Sequence, residues 1–256
     1  MTEPLEPNRR AGHVPFMSNA MPQIHYAIGD VHGEADRLGA LHTAIFDHHW
    51  RTYGRADMTL VHLGDLVDRG ADSAGVIARV RALHARADSD PGLTTVTLRG
   101  NHEQMMIEAL DGGAFRQGVW AQNGGAETVN SYERIPDGQS RMRDDLRWLK
   151  GLPARHWNRA AGLIFVHAGI SGPDFPDEAE EVYLWTRSAN AMDTALWTSP
   201  ALAGQMVVHG HTPTHDFQPE ISPDGRRINL DTGACYGGVL TAAVLAPGEE
   251  VHFLSA

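Results

Sequence analysis

Six short apolar segments, each ending close to a glycine, constrain the fold of this chain more than any other feature of its sequence. They cover residues 24–28, 58–63, 93–98, 163–166, 206–208 and 228–230. Apolar runs of this length that glycine bounds are typical of buried strands. Between the early segments, apolar residues recur at helical spacing, as at Ala35, Leu38, Leu41 and Ile45. Strand and helix therefore alternate, which predicts an α/β fold with a largely parallel sheet in the first half.

The second half of the chain predicts a second sheet with antiparallel pairing. Its strands are shorter, turn signals such as Pro223-Asp224-Gly225 separate them, and an apolar run follows from Val239 to Leu245. Glycine pairs between polar helical stretches predict a helical insert over residues 111–160, and the proline-containing residues 1–22 predict a flexible tail. Since the connections are too short for interdomain linkers, we expect residues 23–256 to form one domain.

The charge and the cysteine count narrow the class of protein. The chain of 256 residues carries 32 acidic and 21 basic side chains, a formal net charge of -11. Such a surface repels nucleic acids and anionic membranes, so we expect partners of neither kind. The single cysteine, Cys235, fits a reducing compartment and favours a cytoplasmic location. The sequence leaves the oligomeric state open.

Side chains that can bind a metal follow five of the six apolar segments, and the sixth, which precedes Asp231, supplies no obvious ligand. Ligands in open α/β sheets gather beyond the carboxyl ends of the strands, where the loops converge. Carboxylate, imidazole and amide donors together suit Mn, Fe or Zn better than a metal that prefers thiolate. The sequence therefore predicts metal binding by carboxylate, imidazole and amide side chains at these five strand ends.

The motifs that contain these residues resemble a known family. Its pattern is matched by Gly29-Asp30-Val31-His32-Gly33, Gly64-Asp65-Leu66-Val67-Asp68-Arg69-Gly70, Arg99-Gly100-Asn101-His102-Glu103, His167-Ala168 and Gly210-His211-Thr212-Pro213. These are similar to the serine/threonine phosphoprotein phosphatases of the calcineurin-like metallophosphoesterases, particularly the bacterial and phage lambda type. The resemblance extends over residues 24–246 and implies a layered sandwich of two mixed β-sheets flanked by helices.

The same resemblance implies two divalent metal ions, Mn²⁺ in the bacterial relatives, with Fe or Zn also compatible. Asp30 and His32 would bind the first ion, Asp65 would bridge both, and Asn101, His167 and His211 would complete the second site. A hydroxide held between two such ions would attack the phosphate directly.

The resemblance also assigns roles around the phosphate. His102 would act as general acid, with Asp68 favouring its protonated form. The phosphate oxygens would be bound by Arg69, Arg187, Asn101 and Tyr236. Glu103 is expected to hydrogen-bond and orient the loop.

The resulting hypothesis is a phosphomonoesterase that acts on phosphoserine and phosphothreonine in proteins, with phosphotyrosine as a further substrate. A symmetrical dinucleoside tetraphosphate hydrolase is the alternative, because it shares the same metal ligands. Asp68 and Glu103 favour the protein phosphatase. A non-catalytic scaffold is disfavoured, since such proteins lose ligands that are all present here.

Overall fold

The computed structural model of the chain describes residues 23–256. The predicted flexible tail, residues 1–22, lies outside this part of the chain. None of the helices in the described part combines the length and the apolarity that crossing a bilayer requires.

The first sheet has five strands in the order β10-β9-β1-β2-β3. They are β1 (Gln23–Ile28), β2 (Asp57–His62), β3 (Leu93–Thr97), β9 (Thr241–Leu245) and β10 (His252–Ser255). Strands β1, β2 and β3 are parallel, as the alternation of strand and helix predicts. Their carboxyl ends therefore lie at one edge of the sheet.

The second sheet also has five strands, in the order β4-β5-β6-β8-β7. They are β4 (Arg155–Asn158), β5 (Leu163–Val166), β6 (Met206–His209), β7 (Glu220–Ile221) and β8 (Arg227–Asn229). The centre of this sheet, β5-β6-β8, is parallel, and only the edge strands β4 and β7 pair antiparallel. The prediction of antiparallel pairing thus holds for the edges alone.

The apolar run from Val239 to Leu245 was expected in the second sheet and belongs to the first. Residues Thr241–Leu245 form β9, which pairs antiparallel with β1. All five residues are buried, and a strand buried on both faces shows no alternation. The pattern therefore indicates a strand but carries no information about which sheet receives it.

Eight α-helices accompany the sheets in the described part of the chain. They are α1 (Ala35–Thr52), α2 (Ser73–Ala87), α3 (Asn101–Asp111), α4 (Gly113–Trp120), α5 (Ala126–Glu133), α6 (Gly138–Lys150), α7 (Glu180–Trp185) and α8 (Ala189–Met192). A short π-helical segment, Ala121–Gly125, joins α4 to α5. The predicted insert contains α4, α5 and α6, but residues 155–158 form β4, so the prediction of helix was wrong there. Four residues are too few for a period to distinguish strand from helix.

The two sheets pack face to face, and helices cover both outer faces. Strand alternation directs Ile24, Tyr26 and Ile28 toward α1 and α2, while Ala27 points between the sheets. The layer between the sheets contains Val61 of β2 and Phe165 of β5. The expected sandwich of two mixed sheets flanked by helices is therefore confirmed, and it brings the loops after β1, β2, β3, β5 and β6 to one edge.

Candidate active site

Backbone hydrogen bonds hold the loops at this edge together. The amides of Val31 and His32 donate to Asp65 O at 3.0 and 2.8 Å, which joins the loops after β1 and β2. The amide of Gly210 donates to His167 O at 2.8 Å. At Gly64, a Cβ atom would lie 2.5 Å from the amide nitrogen of Gly100, so that close approach requires glycine. The six predicted metal ligands are consequently all buried and close to one another.

One group of potential metal ligands consists of His32, Asp65 and His102, whose ligand atoms lie within 4.8 Å of one another. His32 Nε2 is 3.4 Å from Asp65 Oδ2. His32 Nδ1 donates to Val67 O at 2.8 Å. Because a carbonyl only accepts, this bond places the proton on Nδ1 and leaves Nε2 free to bind a metal.

A second group contains Asp65, His167 and His211. His167 Nδ1 donates to Leu63 O at 3.0 Å, so its Nε2 is directed toward Asp65 Oδ1, 3.4 Å away. Asn101 Oδ1 lies 2.8 Å from both His167 Nε2 and His211 Nδ1. Since Asp65 belongs to both groups, the Asp and His side chains are positioned for a binuclear metal site with one shared carboxylate.

The donor set of the second group fits a cation. A neutral His167 that donates from Nδ1 turns the lone pair of Nε2 toward Asn101 Oδ1, and two acceptors 2.8 Å apart need a positive charge between them. Burial alone would lower the pKa of His167, but Asp65, with Asp30 and Glu103, raises it to about 9, so the carboxylates favour a positive charge at this nitrogen, either a proton or a metal ion. In addition, the buried Nε2 of His211 has no hydrogen-bond partner among residues 23–256.

Asp30 lies at the margin of these groups and belongs to neither. Its two carboxylate oxygens accept hydrogen bonds from the amide of His211 at 3.0 and 3.1 Å. Burial, Asp231 and Asp65 raise the pKa of Asp30, and burial with Asp65 raises that of Asp231 to about 6. The sixth strand end, expected to supply no ligand, thus adds a buried carboxyl group beside Asp30 and increases the negative potential of the site.

Glu103 orients the loop after β2, as the sequence predicts. Its Oε2 accepts from the amides of Asp65 and Gly100, both at 2.8 Å. Its Oε1 accepts from the amides of Leu66 and Val67 at 2.7 and 3.2 Å. Burial and the neighbouring Asp65 raise the pKa of Glu103 to about 7. One buried side chain therefore fixes the backbone around the shared carboxylate.

His102, a member of the first group, forms a hydrogen-bonded pair with Asp68. Asp68 Oδ2 is 2.7 Å from His102 Nδ1, and both side chains are buried. Asp68 also accepts from Trp120 Nε1, at 2.9 and 3.0 Å to its two oxygens, and from Thr128 Oγ1 at 2.7 Å. Burial raises the pKa of Asp68, and the bond to His102 counteracts this rise.

Sequence reasoning missed Trp120 and Thr128. They lie 52 and 60 positions from Asp68 along the chain. The one local signal was the Asn123-Gly124-Gly125 motif between them, which resembles the phosphatase pattern but does not indicate their partner.

The side chains expected to bind phosphate surround the metal groups. Arg69 Nη1 is 2.6 Å from His32 Nε2, so a metal on that nitrogen would require the guanidinium to turn outward. Arg187 lies on the second-sheet side, with Nε donating to Thr212 Oγ1 at 3.2 Å. The ring of Tyr236 lies 5.4 Å from Arg69 Cζ and is 52% exposed. Two guanidinium groups, one from the loop after β2 and one from the loop after α7, therefore flank the site.

This combination of a two-sheet sandwich and paired His/Asp groups defines a metal-binding phosphoesterase. The sequence profile of the calcineurin-like phosphoesterases matches residues 26–235, and the chain belongs to that family.

Relatives within the family divide between two kinds of substrate. The serine/threonine-protein phosphatase 1 of Salmonella typhimurium is 29% identical over 229 residues, 85% of this chain and 90% of the relative. The asymmetrical bis(5'-nucleosyl)-tetraphosphatase of Halalkalibacterium halodurans is 28% identical over 243 residues, 89% of this chain and 91% of the relative. A solved structure provisionally described as a diadenosine tetraphosphatase covers 94% of this chain and 96% of its own, with a TM-score of 0.62 and 23% identity, which shows the fold alone.

Proposed function

We propose that this phosphoesterase hydrolyses dinucleoside tetraphosphates. The observation that carries the proposal is the long match to tetraphosphatases: relatives with that name are 26–28% identical over 84–89% of the chain in four bacteria. The sequence alone favoured a phosphoprotein phosphatase and gave the symmetrical tetraphosphatase as the alternative. The Salmonella relative keeps phosphoprotein hydrolysis as the second candidate, because its identity and coverage are nearly the same.

The proposed metal ligands are members of the two groups or lie directly beside them. Asp30, His32 and Asp65 would hold one divalent ion, and Asp65, Asn101, His167 and His211 the other. Two such ions, when bound, activate water and stabilise the charge on phosphoryl oxygens. Oxygen and nitrogen donors without thiolate accept Mn²⁺, which we propose, as well as Fe or Zn.

The side chains of the chain itself supply orientation and proton transfer. His102 Nε2, in the first group, lies 4.0 Å from Asp65 Oδ2. With Nδ1 bonded to Asp68, the ring is held so that Nε2 can give a proton to the departing oxygen. Arg69 and Arg187 would bind the non-bridging phosphate oxygens, since a guanidinium offers paired donors. Asn101 and Tyr236 would add polar contacts to the phosphate.

The test compares two substrates with one preparation of metal-loaded protein. Diadenosine tetraphosphate and a phosphoserine peptide are each incubated with it, and nucleotides and inorganic phosphate are quantified by chromatography. We expect a higher kcat/KM for the tetraphosphate. Phosphate release from the peptide without nucleotide products would instead establish the second candidate. Inertness toward both substrates and toward p-nitrophenyl phosphate would contradict phosphoester hydrolysis altogether.

A phosphorylated protein would be the partner under the second candidate, whereas the first needs only a nucleotide. The net charge of -11 supports our prediction that the protein binds neither nucleic acids nor membranes.

A further inference from the structure

A cavity adjoins the two groups of potential metal ligands. It has a volume of about 440 Å³ and is lined by Arg69, Tyr236 and residues of the segment 121–127. Arg69 also contacts His32 Nε2, so one guanidinium separates this cavity from the first metal group. A larger cavity of about 560 Å³, between Trp50 and Arg86, contains none of the site residues.

The insert provides one wall of the cavity, and hydrogen bonds fix this wall against the active site. The amide of Arg69 donates to Gly124 O at 3.1 Å. Gly124 has a φ of 103°, and a Cβ atom there would lie 2.6 Å from the Arg69 nitrogen. Trp120 and Thr128, just outside the two ends of the segment, both donate to Asp68. π-Helical segments occur frequently at functional sites, and here one is held in a defined position beside the reacting groups.

The side chains that line the cavity suit a nucleoside. The half-exposed ring of Tyr236 offers a surface on which a nucleobase can stack. Gln122 and Asn123 provide amide groups for base edges, and the carboxylate of Glu127 can accept hydrogen bonds from ribose hydroxyls. Glu127 also repels phosphate, while Arg69 attracts it, so a nucleotide would direct its phosphate toward Arg69.

We propose that this cavity, defined by Arg69, Gln122, Asn123, Glu127 and Tyr236, binds one nucleoside of the tetraphosphate and thereby selects the bond that is cleaved. The inference rests on the proposed function. Because Arg69 lines the cavity and also contacts His32 of the first metal group, a nucleoside bound there brings its own α-phosphate to the reacting position.

The cleavage that follows is asymmetrical. Water adds its oxygen to the α-phosphorus and releases a proton, and the bond from that phosphorus to the oxygen bridging the α- and β-phosphates breaks. That oxygen keeps the bonding electron pair and takes a proton from His102. The products are AMP, which remains in the cavity, and ATP, which leaves.

Hydrolysis in water enriched in ¹⁸O tests the position of attack. Mass spectrometry of the nucleotides should find the label in AMP and not in ATP. Label in ATP would show attack on the β-phosphorus, and two molecules of ADP would show symmetrical cleavage. Either result would overturn the assignment of the cavity.

Inhibition by adenosine tests the cavity without any phosphate contact. Adenosine should inhibit hydrolysis of p-nitrophenyl phosphate, and Glu127→Gln should raise its inhibition constant about tenfold, the usual effect of losing a hydrogen bond to a charged group. Glu133→Gln removes the same charge from an exposed position on α5 outside the cavity and serves as the matched control. Tyr236→Leu should weaken inhibition by about tenfold through lost stacking, while Tyr236→Phe should retain it.

Two different results would contradict the nucleoside site and the proposed function. Equal adenosine inhibition in Glu127→Gln and Glu133→Gln, or no inhibition of the wild-type protein, would overturn the nucleoside site even if the tetraphosphate is cleaved. A protein that leaves the tetraphosphate intact but is inhibited by adenosine through Glu127 would contradict the proposed function and support the site.

Discussion

The two halves of the active site are built differently. In the first-sheet half, the backbone around Asp65 is held by the Glu103 side chain, and Asp68 by Trp120 and Thr128 from the insert. In the second-sheet half, His167 is oriented by a backbone carbonyl, that of Leu63. The half that holds the proposed acid is thus supported by buried side chains of α3 and the insert, whereas the second-sheet half is held by groups at strand ends, including the Asp30 carboxylate that accepts from the His211 amide. We infer that the first half carries out proton transfer, whereas the second half only binds metal and phosphate.

Asp65→Asn should have the largest effect, since this carboxylate is the one group common to both halves. An amide removes the negative charge and one bridging oxygen, so both ions should bind weakly. Turnover should fall by more than the factor of about 10²–10⁴ typical of acid–base groups. Elemental analysis of the purified protein measures metal content, and Asp47→Asn on the exposed part of α1 is the control. Full metal content in the variant would show that Asp65 is not shared.

His102→Asn should separate the two halves. We expect both ions to be retained and hydrolysis to slow by about 10²–10⁴, with the larger loss for substrates whose leaving groups are poor. Rates for a series of aryl phosphates with different leaving-group pKa values measure this dependence. A uniform loss across the series would remove proton donation from the role of His102.

Trp120→Phe tests whether the insert supports the first half specifically. The variant loses the indole N–H that donates to Asp68. We expect kcat to fall about tenfold or more, the effect of a hydrogen bond to a charged group, with metal content unchanged. Trp148→Phe on α6 is the matched control, since that ring packs against the apolar core between the first sheet and its helices. The loss should depend on the leaving group as it does for His102→Asn, and a loss without that dependence would indicate a structural role alone.

Acid should weaken the contact between the two sheets that carry the halves. His25 of β1 is buried, stacks on Phe165 of β5 and accepts a hydrogen bond from Asn158. Burial, with a contribution from His156, lowers its pKa to about 4. The unfolded chain therefore binds this proton more tightly. The contribution of His25 to stability is complete above the unfolded pKa of about 6.5 and decreases as the pH falls toward 4, by about 2 kcal/mol at pH 5.

Urea unfolding at pH 7 and pH 5 measures this loss of stability. His25→Asn should show a smaller decrease between the two values than the wild-type protein. His215→Gln, at an exposed position, should show the full decrease. An unchanged decrease in the His25 variant would assign the acid sensitivity to other groups.

The sequence predicts most of this site because each motif residue follows a strand within a few positions. Asp30, Asp65 and Asn101 lie where parallel strands must end together, so their proximity follows from the fold class. The same argument cannot find Trp120, since its contact with Asp68 depends on how a separate helix packs.

The assignment of strands to sheets shows the same limit. A buried strand such as β9 has apolar residues on both faces, and its pairing with β1 across more than 200 positions is set by packing. Local patterns indicate elements and their ends, while contacts between distant segments require the folded chain.

Left-handed backbone is concentrated around the active site. Seven non-glycine residues among positions 23–256 have positive φ, and five of them are His32, Asp65, Asp68, Arg69 and His211. Each such residue costs about 1–3 kcal/mol and persists only where its surroundings enforce it. Glycine at these positions would relieve the backbone strain, but it would remove buried side chains and leave partners such as Trp120 and Thr128 without their acceptor, Asp68. The strained backbone is therefore tied to the side chains that it presents, and neither can be changed at this site without the other.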